Sequence, residues 1–130
     1  MTSHEQLIQK AISLLNPKKL SSYGVEAGGV GCALETDKGN IYTGVCIDTA
    51  FGIGFCAEHS TIAAMVTAGE TKIETIVAVD WDKSIPAPCG RCREFIYQVD
   101  DDNKNTQVIM PGNVVKLSEL LPYHWMEKAA

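Results

Sequence analysis

The sequence predicts an α/β fold, a three-layer α/β/α sandwich with helices on both faces of one mixed sheet. Strand-like apolar runs alternate with segments of helical period, which is the pattern of a layered α/β domain. One run, Ile73–Asp80, is apolar enough to be covered on both faces. The length of 130 residues suits a single domain, residues 1–130, that buries a core without disulfides.

Each element follows from a local signal. Residues 4–16 set Leu7, Ile8, Ala11, Ile12, Leu14 and Leu15 on a helical stripe, with Thr2 or Ser3 as cap and Pro17 as stop. Residues 30–36 and 41–47 are apolar strands, and Asp37-Lys38-Gly39-Asn40 joins them as a hairpin turn. Residues 57–68 form an apolar, buried helix that ends at Gly69. The strand Ile73–Asp80 follows, and then a loop carrying Pro86 and Pro88. Gly90–Val99 is an amphipathic helix, Gln107–Met110 a short strand, and residues 117–121 a helical turn closed by Pro122.

Composition removes several function classes. Apolar residues make up 45% and charged residues 21%, as in ordinary globular proteins. A net charge of -5 disfavours electrostatic capture of nucleic acid. No apolar run reaches the length of a membrane span, and the polar first ten residues lack a secretory core, so the expected location is cytoplasmic. Five cysteines, two of them in Cys-x-x-Cys, point to metal or redox chemistry rather than a disulfide framework.

The chemistry concentrates in two short motifs, Cys56-Ala57-Glu58 and Pro88-Cys89-Gly90-Arg91-Cys92. Both open predicted helices, where the partial positive charge of the N-terminus favours thiolate over thiol. Cys56, Cys89 and Cys92 supply three soft ligands for a tetrahedral zinc with one position open, and Glu58 stands beside them as an acid/base. A redox pair or a closed structural zinc module is the competing reading. The closed module needs a fourth ligand, for which His59 is the strongest candidate and Cys32, Cys46 and His124 are others.

Together these motifs resemble the zinc signature of the cytidine deaminase superfamily, in its small three-cysteine branch. The resemblance extends to Val30-Gly31-Cys32-Ala33-Leu34, Tyr42-Thr43-Gly44-Val45 and Leu120-Leu121-Pro122. It implies a five-stranded mixed sheet, a homotetramer, and one Zn2+ per chain held by Cys56, Cys89 and Cys92. It also implies hydrolytic deamination of a small-molecule nucleoside or nucleobase by zinc-bound hydroxide, with release of ammonia. Glu58 then shuttles the proton, and the backbone near Ala57 and Cys89 assists. Three thiolates leave the site net negative. The branch often carries Arg directly after Cys-Ala-Glu, where this chain has His59, so Arg91 is the better candidate for a compensating cation.

The substrate end departs from the cytidine pattern. The family's Asn-x-Glu-Asn, which grips ribose, is replaced by Cys46-Ile47-Asp48-Thr49. A stacking aromatic is missing around Glu26-Ala27-Gly28-Gly29, and Phe51 or Phe55 are candidates to restore it. Asp48 keeps a carboxylate able to pair with a cationic substrate, and Trp125 occupies the place of a tail aromatic that reaches a pocket. Blasticidin S deaminases resemble this chain in their three-cysteine site, their Pro-Cys-Gly-x-Cys-Arg helix start and their lack of an intact Asn-x-Glu-Asn, and they act on a cytosine nucleoside with a cationic tail. A blasticidin S deaminase-like enzyme and a free-base aminopyrimidine or aminopurine deaminase are therefore the alternatives.

Overall fold

The computed structural model describes residues 1–127. Helix α1 (His4–Ser13) begins in a capping box: the Ser3 hydroxyl accepts from Gln6 N–H, and the Gln6 side chain accepts from Ser3 N–H. It leads to a two-residue strand β1 (Lys18–Lys19), then to the long β2 (Glu26–Thr36) and to β3 (Ile41–Asp48). Helix α2 (Ala57–Thr67), β4 (Ile73–Asp80), α3 (Gly90–Val99), β5 (Gln107–Met110) and β6 (Asn113–Lys116) complete the order.

The sheet is mixed, as expected, but has six strands rather than five. β2 is its centre and pairs antiparallel with β1, β3 and β4. β4 and β5 pair in parallel, and β6 folds back antiparallel on β5. Lys18-Lys19 is polar and too short to show a period, and β6 is four residues of largely exposed chain. Neither carries an apolar alternation legible in sequence. The start of β2 was also hidden, because Glu26 and three small residues precede a register shift between Ala27 and Gly31.

Alternate side chains of the central strands enter two separate cores. Leu7 and Ala11 of α1 pack on Ala33, Val77, Val79 and Ile109. Ile62 and Met65 of α2, with Ile96 and Tyr97 of α3, pack on Cys32, Leu34, Ile76, Ala78 and Val108. The period-two alternation therefore produces the three layers. Gly44 lets α2 lie close to β3: a Cβ there would come within 2.7 Å of Ser60 Cβ and Thr61 N. Among the described residues, no helix is long and apolar enough to cross a membrane.

β2 runs antiparallel to β3 and β4, so its beginning meets their ends. Glu26 faces Asp48 across one pairing, and Val30 faces Asp80 across the other. The chain leaves β3 for the start of α2 and leaves β4 for the start of α3. This edge of the sheet thus gathers three strand ends and two helix N-termini.

Candidate active site

Cys56 and Cys89 occupy the N-cap positions of α2 and α3, and Cys92 lies one turn inside α3. The Cys56 and Cys89 sulfurs are 3.6 Å apart, those of Cys89 and Cys92 are 3.4 Å apart, and all three fall within 4.8 Å of one another. Sulfurs held tetrahedrally about 2.3 Å from zinc are separated by about 3.8 Å. The donor set and its spacing therefore suit one zinc ion. Among the described residues, no fourth ligand atom joins this cluster at that spacing. His59 does not close the site. Its Nδ1 lies 3.5 Å from the Cys92 sulfur, and its ring stacks on Phe95 with centroids 4.6 Å apart.

The expected thiolate bias of the two helix starts is realised at only one of them. Burial pushes Cys89 up, but the backbone N–H groups of Cys92 and Arg91 and the neighbouring sulfurs outweigh it and hold the thiol below its ordinary range. Burial holds Cys56 above that range and, aided by the Glu58 carboxylate, pushes Cys92 far above it. At Cys56 and Cys92 burial, together with the repulsion among three sulfurs beside a carboxylate, outweighs the field of the helix N-terminus. A divalent cation removes that repulsion, and metal binding drives such thiols to give up their protons.

Glu58 is buried, with 6% of its surface exposed, and lines the same cavity as Cys56 and Cys89. Burial raises its carboxyl above the ordinary value, opposed by its own backbone N–H and the Cys92 thiol. A carboxyl in that condition is suited to taking up and releasing a proton. Ala57 also lines the cavity, and as the first residue of α2 its N–H has no partner inside the helix.

The cavity holds about 650 Å³. Cys46 and Asp48 border it, as does Phe55, whereas Phe51 stands on the surface, 99% exposed. Cys46 is buried, and its sulfur accepts from Val30 N–H at 3.3 Å. Arg91 lines the wall and donates to the Gly54 carbonyl at 3.3 Å, rather than reaching a sulfur. Trp125 does not border the cavity of its own chain; its Nε1 donates to Glu94 at 3.2 Å. Arg93 and Glu94, the next two residues of α3, both reach the C-terminal segment. Arg93 donates to the carbonyls of Pro88 and Leu120, and Glu94 bonds Gln98, His124 and Trp125.

Sequence reasoning missed three residues of this wall. Glu26, Asp80 and Trp81 all border the cavity, and Trp81 is 70% exposed. Trp81 supplies an aromatic face of the kind found missing around Glu26. Its signal was its place immediately after a buried strand, at the sheet edge where the cysteines gather. With Asp48, the mouth carries three carboxylates and one guanidinium, Arg91.

Comparison with known proteins agrees with this geometry. A family model described as the cytidine and deoxycytidylate deaminase zinc-binding region matches residues 1–108. Blasticidin-S deaminase of Bacillus cereus is 36% identical over 104 residues, covering 72% of this chain and 74% of that protein. Cytidine deaminase of Mycobacterium tuberculosis is 29% identical over 94 residues, covering 72% and 69%. The crystal structure of cytidine deaminase from Mycobacterium leprae superposes with a TM-score of 0.79 at 26% identity, covering 94% of this chain and 99% of that one. The chain belongs to the cytidine and deoxycytidylate deaminase family, whose members are zinc-dependent hydrolytic aminohydrolases.

Proposed function

We propose that this protein hydrolyses the exocyclic amine of a cytidine-like nucleoside or related aminopyrimidine, releasing ammonia. The observation that carries the reading is a buried carboxyl, Glu58, beside a three-sulfur cluster on the wall of a nucleoside-sized cavity. Cys56, Cys89 and Cys92 would hold zinc, which supplies a Lewis acid that lowers the pKa of a water to about 7. Glu58 accepts a proton from the attacking water and delivers it to the adjacent ring nitrogen. The amine-bearing carbon gains a bond to oxygen. Glu58 then moves the second proton to the leaving nitrogen, the carbon–nitrogen bond breaks, and a carbonyl and ammonia result. The N–H of Ala57 would steady the reacting group, beside apolar walls at Val30, Phe55 and Ala78.

The mouth favours a substrate with a positive extension. Glu26, Asp48 and Asp80 form no ion pair among the described residues, so their charge is available to a ligand. Trp81 beside them offers a face to a cation or a ring. The Bacillus cereus relative supports the same reading. The exposed Phe51, Ile53, Tyr123 and Trp125 suit burial between copies, as in a homotetramer.

The test is ammonia release from the zinc-loaded protein across a panel of cytidine, deoxycytidine, cytosine, an aminopurine and blasticidin S. The expected result is deamination of the cytosine nucleosides, with the cationic one preferred in kcat/KM. Stoichiometric zinc with no ammonia from any compound would instead make the chain a structural zinc module.

A further inference from the structure

Three thiolates around one divalent ion leave a net charge of about -1 at the metal, and such sulfurs need hydrogen-bond donors around them. Cys89 receives them from the first turn of α3, through the N–H groups of Cys92 and Arg91. Cys92 is the third residue of α3 and is fully buried, and its sulfur turns away from the free N–H groups that serve Cys89 toward α2. The one side-chain nitrogen recorded against its sulfur, among the described residues, is His59 Nδ1 at 3.5 Å.

The imidazole is held for this contact. Cys92 and Phe95 lie three residues apart on α3 and so share a face. That face offers a sulfur and an aromatic plane to the same ring, which stacks on Phe95 at 4.6 Å and only 13° from parallel. His59 itself belongs to α2, the helix that begins at Cys56. One side chain therefore ties the helix bearing one sulfur to the helix bearing the other two. Arg91, the alternative compensating group, is engaged by the Gly54 carbonyl and faces the cavity.

We infer that His59 is a positioning residue of the metal centre, donating its Nδ1–H to the Cys92 sulfur and fixing the α2–α3 spacing that sets the three-sulfur triangle. The inference rests on the reading of Cys56, Cys89 and Cys92 as zinc ligands. The hydrogen bond draws electron density from Cys92, so its loss weakens metal retention and alters the sulfur–metal bond.

Two substitutions separate the donor from the ring. His59→Phe keeps the stack on Phe95 and removes the N–H. His59→Asn discards the ring but places an amide N–H near the Nδ1 position. The readouts are zinc affinity, by competition with a chelating dye, and the sulfur-to-metal charge-transfer band of the cobalt-substituted protein. His59→Phe is expected to bind zinc about 10- to 100-fold more weakly, as outer-shell changes commonly do. Its cobalt band should shift while the metal-free protein still melts at the parent temperature. His59→Asn should recover part of the affinity. Affinity within twofold of the parent and an unchanged cobalt band in folded His59→Phe would overturn the assignment. An equal loss of affinity in Arg91→Ala would overturn it too. Failure of the parent chain itself to retain zinc would instead strike the proposed function, and this inference with it.

Discussion

The two ends of the cavity are built by different rules. The cysteine end comes from two short segments, 56–59 and 88–92, each opening a helix, so local spacing carries the geometry within each segment and the fold has only to bring two helix starts together. The mouth comes from the start of β2, the end of β3, and the end of β4 with the residue after it, and Glu26, Asp48, Asp80 and Trp81 meet only because β2 runs antiparallel to both neighbours. The proposed chemistry is thus written largely within short segments, whereas the proposed recognition is written in the sheet register. Substitutions at the first end should alter the reaction itself, and those at the second should alter preference among substrates.

The sharpest break of that contrast is Cys89→Ala. Cys89 is exposed and lies outside both cores, so the fold should persist while zinc stoichiometry and turnover fall to background. Metal analysis and ammonia release measure both. Gly44→Ala acts on the seat of α2 and should disturb both ends together. Its Cβ meets Ser60 and Thr61 at 2.7–2.8 Å, so a loss of about 1–3 kcal/mol is expected in urea unfolding, as for other overpacked contacts. Asp48→Asn touches the mouth alone. An exposed charge pair contributes about 0.2–1 kcal/mol, so KM for a cationic nucleoside should rise about 1.4-fold to fivefold, with cytidine kinetics nearly unchanged. The smallest effect lies outside both ends, at Glu94. Hydrogen bonds from Gln98, then His124 and Trp125, hold its carboxyl below the ordinary value of about 4.3. Its stabilising contribution is therefore complete above that pH and fades as pH falls through the depressed value. Glu94→Gln should flatten this acid limb in thermal melts run from pH 6 to pH 3.

The same contrast explains what the sequence revealed. Cys56, Glu58, Cys89 and Cys92 were legible because helix starts and a one-turn spacing are local facts. The three α-helices and strands β2 to β5 were legible from their apolar patterns and stop signals. Glu26 and Asp80 were not, since no sequence separation announces that residues 26, 48 and 80 share one edge. Trp125 was placed by resemblance alone, and within its own chain it turns to Glu94. Arg91 and His59 both stood near the ligands in sequence. Only packing separates them, because the Phe95 plane orients one ring toward sulfur and the Gly54 carbonyl takes the other group away.

The central claim is that Glu58 performs proton transfer beside a metal held by the three cysteines alone. Glu58→Gln tests it most directly, with zinc stoichiometry and ammonia release measured on the same sample. The account predicts one zinc per chain, as in the parent, and turnover reduced about 10²- to 10⁴-fold, the range of general acid–base catalysis. Turnover retained within a few fold would contradict it, as would loss of zinc from an otherwise folded protein.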